Sequence, residues 1–261
     1  MRSLFLIVFL ASLTASAQQF DTAAEQDILR LLNADRAQSG LAPLELDDRL
    51  TEIARQHSAK MVEHKALSHQ FADEPDLRHR VISSGIRFDT SGENVAFDRD
   101  ADSAERALMN SPPHRANILS PAFTAVGIGV IRVGDSIYVT QDFAHRLPEF
   151  TPEQAENVVS RAFEHLRRSA DAPLIPRVSQ PALRNLACEM AQNDRLDSGV
   201  ATGIANVRVA IAWTASEPGK LPADMQKLKT VKASGWSVGA CFASSQHYQN
   251  PVWWMLAVTY F

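Results

Sequence analysis

Three side chains in the first half of the chain are of types that bind metal ions or transfer protons. His114 lies in the motif SPPHR, after two prolines that interrupt a helical pattern and before a short helical turn. His69 follows the end of an upstream helical pattern, and Glu93 lies between them in the segment GENVA. Two neutral imidazoles and a carboxylate offer zinc or another divalent cation nitrogen and oxygen ligands. We therefore expect these residues to line a cleft that can hold such a cation.

The other histidines of this region have simpler interpretations. His57 lies on the apolar stripe of a predicted helix, which is typical of a buried, hydrogen-bonded histidine. His64 and His79 lie among charged residues and are expected to be exposed. A lone histidine at His69 or His114 would also pack or cap more often than it would bind a metal. The metal hypothesis therefore depends on the three residues acting together.

Regular elements must position these side chains. A capping box, Thr22-Ala-Ala-Glu25, predicts the start of a first amphipathic helix, and an apolar stripe predicts a second helix starting near Asp47 or Asp48. Short helices are expected at 78–84 and 102–110, a short strand or loop at 95–97, and a hairpin from 126–131 and 137–143. These elements predict one layered α/β domain over residues 22–146.

The order of the motifs LLNADRAQSG, ARQHSAKM, GENVA, NSPPHRANIL and YVTQDF closely resembles the bacterial branch of the CAP superfamily, the cysteine-rich secretory protein, antigen 5 and pathogenesis-related fold. The resemblance covers the first half of the chain. It implies a three-layer α/β/α sandwich in which His69, Glu93 and His114 face one cleft. Metal binding is associated in the family with the two histidines.

The sequence departs from the family pattern near His114. Eukaryotic members carry a second glutamate three residues after a helix tryptophan, and those positions here are Leu108 and Ser111, so we expect the fourth ligand to be absent. Glu105, one turn earlier, is a candidate substitute, although a solvated helix glutamate is the commoner outcome. Pro113 replaces the usual glycine before His114, so the local turn must tolerate proline.

Two polar residues are expected to support the site. Asn94 should orient the segment that carries Glu93, and Ser111 should form a hydrogen bond with His114.

Three functions are compatible with this set. The favoured one is non-catalytic binding of a lipid, a cell-envelope glycan or a peptide, as the family resemblance implies. A hydrolase would use Glu93 or His69 as general base on a metal-bound water, or His114 to activate Ser111 or Ser68. A structural, partner-binding protein would keep a vestigial site. Binding is preferred over catalysis because no order of nucleophile, base and orienting group is recognisable in the sequence.

The second half, residues 151–261, repeats the pattern of the first. A capping box starts at Thr151, and the pair Val238-Gly239 matches Val126-Gly127 at an offset of 112 residues. We predict a smaller, degenerate copy of the CAP-like domain; the alternative is an unrelated domain with the same order of elements. This alignment places Ala205 opposite Glu93 and Gln226 opposite His114, so the site is confined to the first half. Three tryptophans are candidates for a binding surface or for the core: Trp236, Trp253 and Trp254.

Composition indicates an ordinary globular protein. The chain has 261 residues, 45% apolar and 21% charged, with a net charge of −4. Because nucleic-acid binding needs a clustered basic face, nucleic acid is not expected as a partner. The pair Arg167-Arg168 is interpreted as a solvated helix face.

The N-terminus and the cysteines both indicate export. Residues 1–17 have the pattern of a secretory signal, with an early arginine, an apolar run and a small-residue cleavage site. The apolar run is shorter than the roughly 20 residues of a membrane span, so we prefer cleavage to an uncleaved anchor and expect a periplasmic or extracellular protein with no later transmembrane segment. Cys188 and Cys241 are predicted to pair, which would stabilise the fold by about 4 kcal/mol; two buried thiols are the alternative.

Overall fold

The computed structural model describes residues 20–245, 247–248 and 251–261. The predicted signal segment, 1–17, lies outside these residues. The helices are α1 Thr22–Gln38, α2 Asp48–His64, α3 Leu77–Ser83, α4 Ala101–Asn110, α5 Pro112–Ile118, α6 Pro152–Arg168 and α7 Ala182–Gln192. The strands are β1 Glu45–Leu46, β2 Phe88–Asp98, β3 Ala125–Val133, β4 Ser136–Arg146, β5 Val207–Ala215, β6 Gly235–Ala243 and β7 Val252–Tyr260.

The first half forms three layers around a four-stranded sheet of order β1-β3-β4-β2. Strands β2, β3 and β4 pair antiparallel, and the short β1 pairs parallel to β3. Helices α1, α4 and α5 bury their apolar side chains against one face, and α2 and α3 pack on the other. The expected α/β fold with helices on both faces of the sheet is confirmed.

Two glycines let helix α2 lie directly on strand β3. A Cβ atom added to Gly127 would lie 2.0 Å from the carbonyl carbon of Leu50, and one added to Gly129 would lie 2.3 Å from the amide nitrogen of Arg55. Any side chain at either position would therefore collide with the helix backbone. These glycines set the distance between the sheet and the helix that leads to His69.

Several element boundaries differ from the expectations. Helix α1 is capped by Asp21, whose carboxylate accepts from the amide of Ala24, and not by Thr22. Glu25 is unavailable for a capping box because both of its oxygens accept from Arg55. Helix α4 begins after Asp100 with a capping box to Ser103, and β2 is longer than the strand or loop expected at 95–97.

The second half is also built in three layers. Its three-stranded sheet has the order β5-β7-β6, with α6 on one face and α7 on the other. Of the two alternatives for Trp236, Trp253 and Trp254, a binding surface or the core, the structure has the core, because all three are buried. They fill the space between this sheet and its helices.

The two halves share a set of long-range polar contacts. Glu25 accepts two hydrogen bonds from the guanidinium of Arg55, and Glu156 accepts two from Arg184 in the same arrangement. The main-chain amides of Val130 and Ala240 point at these two glutamates, at 3.3 Å and 3.4 Å.

A second arginine pair has matching partners. Arg36 donates to the carbonyls of Ala42 and Ile118, and Arg167 donates to those of Pro173 and Leu228. Arg167 is therefore buried, and its interpretation as part of a solvated face was wrong.

These contacts also revise the alignment of the two halves. A Cβ on Gly239 would lie 2.3 Å from the amide nitrogen of Arg184, so Gly239 corresponds to Gly129 and not to Gly127. When the strand registers are followed from Gly129 and Gly239, Glu93 of the first half corresponds to Ala210 of the second half, and not to Ala205. The offset of 112 is therefore wrong, but the second half still has no carboxylate at this position.

An arginine of the first half inserts into an aromatic pair of the second. The guanidinium carbon of Arg87, just before β2, lies 4.1 Å from the ring centre of Phe242 and 5.0 Å from that of Trp253. Arg49 on α2 also donates to Glu149 in the connecting segment at 2.7 Å. Cation–π contacts of this kind favour a fixed placement of the two halves.

The predicted disulfide is confirmed. Cys188 on α7 and Cys241 on β6 are bonded, 53 residues apart in sequence, and the bond fastens the helix to the sheet. Among the residues that the structure describes, no helix is long and apolar enough to cross a membrane.

Reduction of this disulfide should lower the free energy of unfolding by about 4 kcal/mol, because the open chain regains the entropy of a loop of this size. The measurement is denaturant unfolding with and without reductant, with tryptophan emission as the probe. A Cys188→Ala/Cys241→Ala variant should be as unstable as the reduced protein and insensitive to reductant. Equal stability of the oxidised and reduced protein would contradict the prediction.

Candidate functional site

His69 lies in the irregular segment that follows α2, held at its main chain by His57. Helix α2 ends at His64, and Lys65 takes the left-handed conformation (φ 52°), which turns the chain back towards the sheet. The fully buried His57 donates from Nε2 to the carbonyl of Ser68 at 2.9 Å. As expected, His57 is a hydrogen-bonded core histidine, and its contact fixes the residue before His69.

Glu93 connects His69 to the interior. Its side chain is 4% exposed, and its Oε1 accepts from Nδ1 of His69 at 2.9 Å. Its Oε2 accepts from the guanidinium of Arg80 on α3. The imidazole of His69 itself is more than half exposed, so a buried carboxylate orients a ring that solvent can reach.

Arg80 bridges Glu93 to a second carboxylate that sequence reasoning missed. Nη1 of Arg80 donates to Oε1 of Glu74 at 2.7 Å, and the Glu74 carboxylate lies 2.8 Å from Nδ1 of His57. Arg80 and Glu74 are each 6% exposed. Glu74 lies in the acidic run DEPD, five residues after His69, and no motif in the sequence marks it as part of the site. The site region therefore contains two buried carboxylates, although the expected second glutamate position is Ser111.

His114 approaches His69 from helix α5. Pro112 and Pro113 occupy the first two positions of this helix, where a missing amide donor costs nothing, so the proline before His114 is accommodated. The ring centres of His69 and His114 are 6.3 Å apart. The two imidazoles therefore face one space at the edge of β2.

An asparagine pair ties α5 to β2. Asn94 donates to the carbonyl of His114 at 3.1 Å, and Asn117 donates to Oδ1 of Asn94 at 2.9 Å and to the carbonyl of Glu93 at 3.1 Å. Asn94 thus connects the strand carrying Glu93 to the helix carrying His114. Ser111 is the N-cap residue of α5, and its side chain makes no capping hydrogen bond to the first turn of the helix.

The environments of the two histidines shift their pKa values in opposite directions. The hydrogen bond to Glu93 raises the pKa of His69, against a smaller opposing effect of burial. Burial lowers the pKa of His114, and the charge of His69 lowers it further. Near neutral pH, His114 is therefore the imidazole that is more readily available as a neutral ligand or base.

A further buried carboxyl group faces Glu93 from strand β4. Asp142 pairs with Glu93 across the strands and is fully buried, and neither of its carboxyl oxygens has a hydrogen-bond partner in the described part of the chain. Burial raises its pKa well above the usual value, and the negative charge of Glu93 adds to the effect. Its protonated form is therefore favoured more than that of an exposed aspartate.

The ligand atoms of His69, Glu93 and His114 do not all lie within 4.8 Å of one another. Within the described ranges, the group that meets this distance is Glu63, His64 and Asp73, and all three are exposed. Lys60 donates to Glu63 and to Asp73, so both carboxylates of this second group already share a positively charged partner.

Glu105 is not a cleft residue. It is 3% exposed and accepts from Nε2 of Gln141 at 2.7 Å on the α1 side of the sheet. The expectation of a solvated helix glutamate is wrong because α4 packs against α1 and covers this position.

A cavity of 630 Å³ adjoins the buried charges. Glu74 and Arg80 form one part of its wall, and apolar groups of α2 and the following segment form much of the rest, among them Ile53, Ala59, Val62 and Pro75. It is large enough for the apolar part of a small ligand.

Replacing Arg80 by methionine should lower the free energy of unfolding by about 3–5 kcal/mol, because Glu74 and Glu93 would remain buried without a positive partner. Urea denaturation measures the effect. Arg106→Met, on the exposed side of α4, is the matched control and should change stability by less than about 0.5 kcal/mol. A loss no larger than that of the control would show that the buried charges do not depend on Arg80.

Nuclear magnetic resonance titration of the metal-free protein should give a pKa above 6.5 for His69 and below 6.5 for His114. Glu93→Gln should lower the pKa of His69, because the neutral amide no longer favours the imidazolium. With the raised pKa, this contact stabilises the fold fully below the pKa of an unfolded histidine and loses its effect as pH rises through the folded value. Glu63→Gln, an exposed carboxylate, should leave His69 unchanged; an equal response to both variants would be inconsistent with the assignment.

Comparison with known proteins agrees with this architecture. Residues 29–143 match the model of the cysteine-rich secretory protein family, CAP. The uncharacterized protein YkwD of Bacillus subtilis is 36% identical over 129 residues, 49% of this chain and 50% of the relative. The uncharacterized membrane protein YlbC of the same species is 35% identical over 130 residues, 49% of this chain and 36% of the relative.

The chain thus spans half or less of the length of these curated relatives. A solved extracellular protein containing a SCP domain, from Bacillus anthracis, is 31% identical with a TM-score of 0.44, over 47% of this chain and 40% of that one. Residues 29–143 of this chain therefore form a CAP domain, similar to those of these bacterial proteins.

Proposed function

We propose that the first domain is a ligand-binding domain whose cleft holds a divalent cation, zinc above all, between His69 and His114. The observation that carries the proposal is the 2.9 Å hydrogen bond from Nδ1 of His69 to the buried Glu93. Metal-binding histidines almost always donate their second ring nitrogen to a carboxylate or carbonyl, which fixes the tautomer and directs the other nitrogen at the ion. Here Nδ1 is engaged, and Nε2 is left on the exposed side of the ring.

The donor set suits zinc. Imidazole nitrogens are preferred zinc ligands, and two of them leave coordination positions for water or for atoms of a bound molecule. Both oxygens of Glu93 are already engaged by His69 and Arg80, which favours a role in orienting His69 over direct coordination. Within this proposal, zinc would supply a positive centre that attracts a carbonyl, carboxylate or phosphate group of a ligand.

Binding is favoured over hydrolysis by the contact that one candidate nucleophile, Ser68, already makes. Ser68 precedes His69, but its Oγ donates to the carbonyl of Gln70 at 2.7 Å. A serine nucleophile needs its hydroxyl within reach of the base, so this contact does not favour Ser68 as a nucleophile. Of the ligand classes that the family resemblance suggests, a lipid fits best, because the cavity beside Glu74 and Arg80 has an apolar wall.

The proposal includes export and a supporting role for the second domain. A disulfide persists in oxidising compartments, so the bond between Cys188 and Cys241 supports a periplasmic or extracellular location. The repeated glutamate–arginine contacts support the interpretation of residues 151–261 as a degenerate copy of the first domain. Its loss of the site residues suits a companion domain that stabilises or extends the first.

Calorimetric titration with zinc tests the cation site. His69→Ala and His114→Ala should each abolish measurable binding, and Glu93→Gln should weaken it by about 10–100-fold, because His69 loses its orienting partner. His79→Ala, a variant at an exposed histidine, should bind like the wild type.

Two results would overturn the proposal. A folded wild type that binds no zinc would show that the histidine pair is not a cation site. Zinc binding that is lost in His64→Ala but kept in His69→Ala would place the ion at the exposed group around His64 instead.

A further inference from the structure

A buried carboxylate with an incomplete set of partners lies behind the cleft. Glu105 on α4 is 3% exposed, and its Oε2 accepts from Nε2 of Gln141 at 2.7 Å. Its Oε1 is buried and has no hydrogen-bond partner among the described residues. An acidic group in such a place is costly to keep. Glu105 therefore calls for an explanation beyond stability.

A chain of amide groups leads from Glu105 to His114. Oε1 of Gln141 accepts from Nδ2 of Asn94 at 3.0 Å, and the same Nδ2 donates to the carbonyl of His114 at 3.1 Å. Asn117 on α5 donates to Oδ1 of Asn94 at 2.9 Å. Helix α5 is thus connected to the sheet by the side-chain amides of Asn94 and Gln141, and Glu105 accepts the last hydrogen bond of this chain.

The carboxylate sets the direction of every bond in this chain. An ionised carboxylate only accepts, so the NH₂ group of Gln141 must face Glu105 and its carbonyl oxygen must face Asn94. That orientation requires the NH₂ group of Asn94 to point at Gln141 and at the carbonyl of His114. Without the charge at Glu105, the amide of Gln141 could rotate by half a turn, and Asn94 would keep only the carbonyl of His114 as an acceptor.

We propose that Glu105 is the positioning residue of His114, and that its ionisation regulates how firmly α5 holds that histidine next to His69. The structural part of this inference stands on the hydrogen-bond chain alone. Its consequence for a bound cation rests on the function proposed above.

The pH range in which Glu105 changes charge makes the regulation accessible. Burial raises the pKa of Glu105 to about 7; the bond from Gln141 opposes this, and the charge of Asp35 on α1 adds to it. Above this pH the group is ionised and forms a charge-assisted hydrogen bond with Gln141, which is stronger than the neutral bond formed below it. The hold on His114 should therefore tighten as pH rises through about 7.

Other charged groups around α4 are already engaged or distant from Glu105. Arg36, next to Asp35 on α1, donates to the carbonyls of Ala42, Ile118 and Ser120. Glu93 on β2 faces the opposite side of the sheet from Asn94, since side chains alternate along a strand. Helix α5 contributes two titratable or charged groups, His114 and Arg115.

The test is a pH titration of the metal-free protein. Nuclear magnetic resonance follows the side-chain NH₂ signals of Gln141, Asn94 and Asn117. In the wild type these signals should shift with a midpoint near pH 7. Glu105→Gln keeps the shape but cannot ionise, so the shift should vanish, while Glu105→Asp should retain a pH-dependent shift. Asp102→Asn, an exposed carboxylate on the same helix, should behave like the wild type.

The titration separates this inference from the zinc proposal. If the shift persists in Glu105→Gln, it comes from the histidines and the inference is overturned, whether or not zinc binds. If the shift vanishes and zinc binds, the gain in zinc affinity between pH 6 and pH 8 should be about fivefold smaller in Glu105→Gln than in the wild type. An unchanged gain would also overturn it, because α5 would then hold His114 independently of Glu105.

Discussion

The buried guanidinium of Arg80 is the interaction on which the rest of the site depends. It is the positive charge between Glu74 and Glu93, and without it two buried negative charges would lack a positive partner. Glu93 in turn orients His69, and Glu74 contacts the histidine that holds the preceding carbonyl. An exposed imidazole is thus placed by charges that solvent does not reach. Asp142 lies against the same pair, and burial together with the charge of Glu93 raises its pKa.

Comparison of the two halves shows which contacts accompany the three-layer arrangement and which occur only at the candidate site. The second half has a buried glutamate that accepts from an arginine, and a second arginine that donates to main-chain carbonyls. It also has a glycine that lets a helix pack directly on the sheet. The strand registers place Ala210, Ile211, Ala257 and Val258 where the first half has Glu93, Asn94, Gln141 and Asp142. Apolar side chains fill that region without loss of the three layers. The polar groups of the first half are therefore not needed for a three-layer arrangement, which supports the binding role proposed for them.

Local patterns in the sequence were sufficient for most of the helices and for the hairpin. Helical periodicity, capping residues and the turn at Gly134 each depend on neighbours a few residues away. Glu74 and Arg80 were missed because each matters through partners far along the chain, and nothing in the run DEPD indicates that its glutamate is buried. The same limit explains Thr22 and Glu105. Glu25 is diverted from its cap by Arg55 on another helix, and Glu105 is covered by α1, so in both cases tertiary packing overrides the local pattern.

All four tryptophans of the protein lie in its second half: Trp213, Trp236, Trp253 and Trp254. Tryptophan fluorescence therefore does not report events in the cleft unless they alter the contact between the halves. Trp253 is the exception in position, since its ring lies 5.0 Å from the guanidinium of Arg87, which leads into the strand that carries Glu93. The native tryptophan emission thus comes from one residue at the contact between the two halves and three residues inside the second half. A change in that contact can therefore be distinguished from unfolding of the second half.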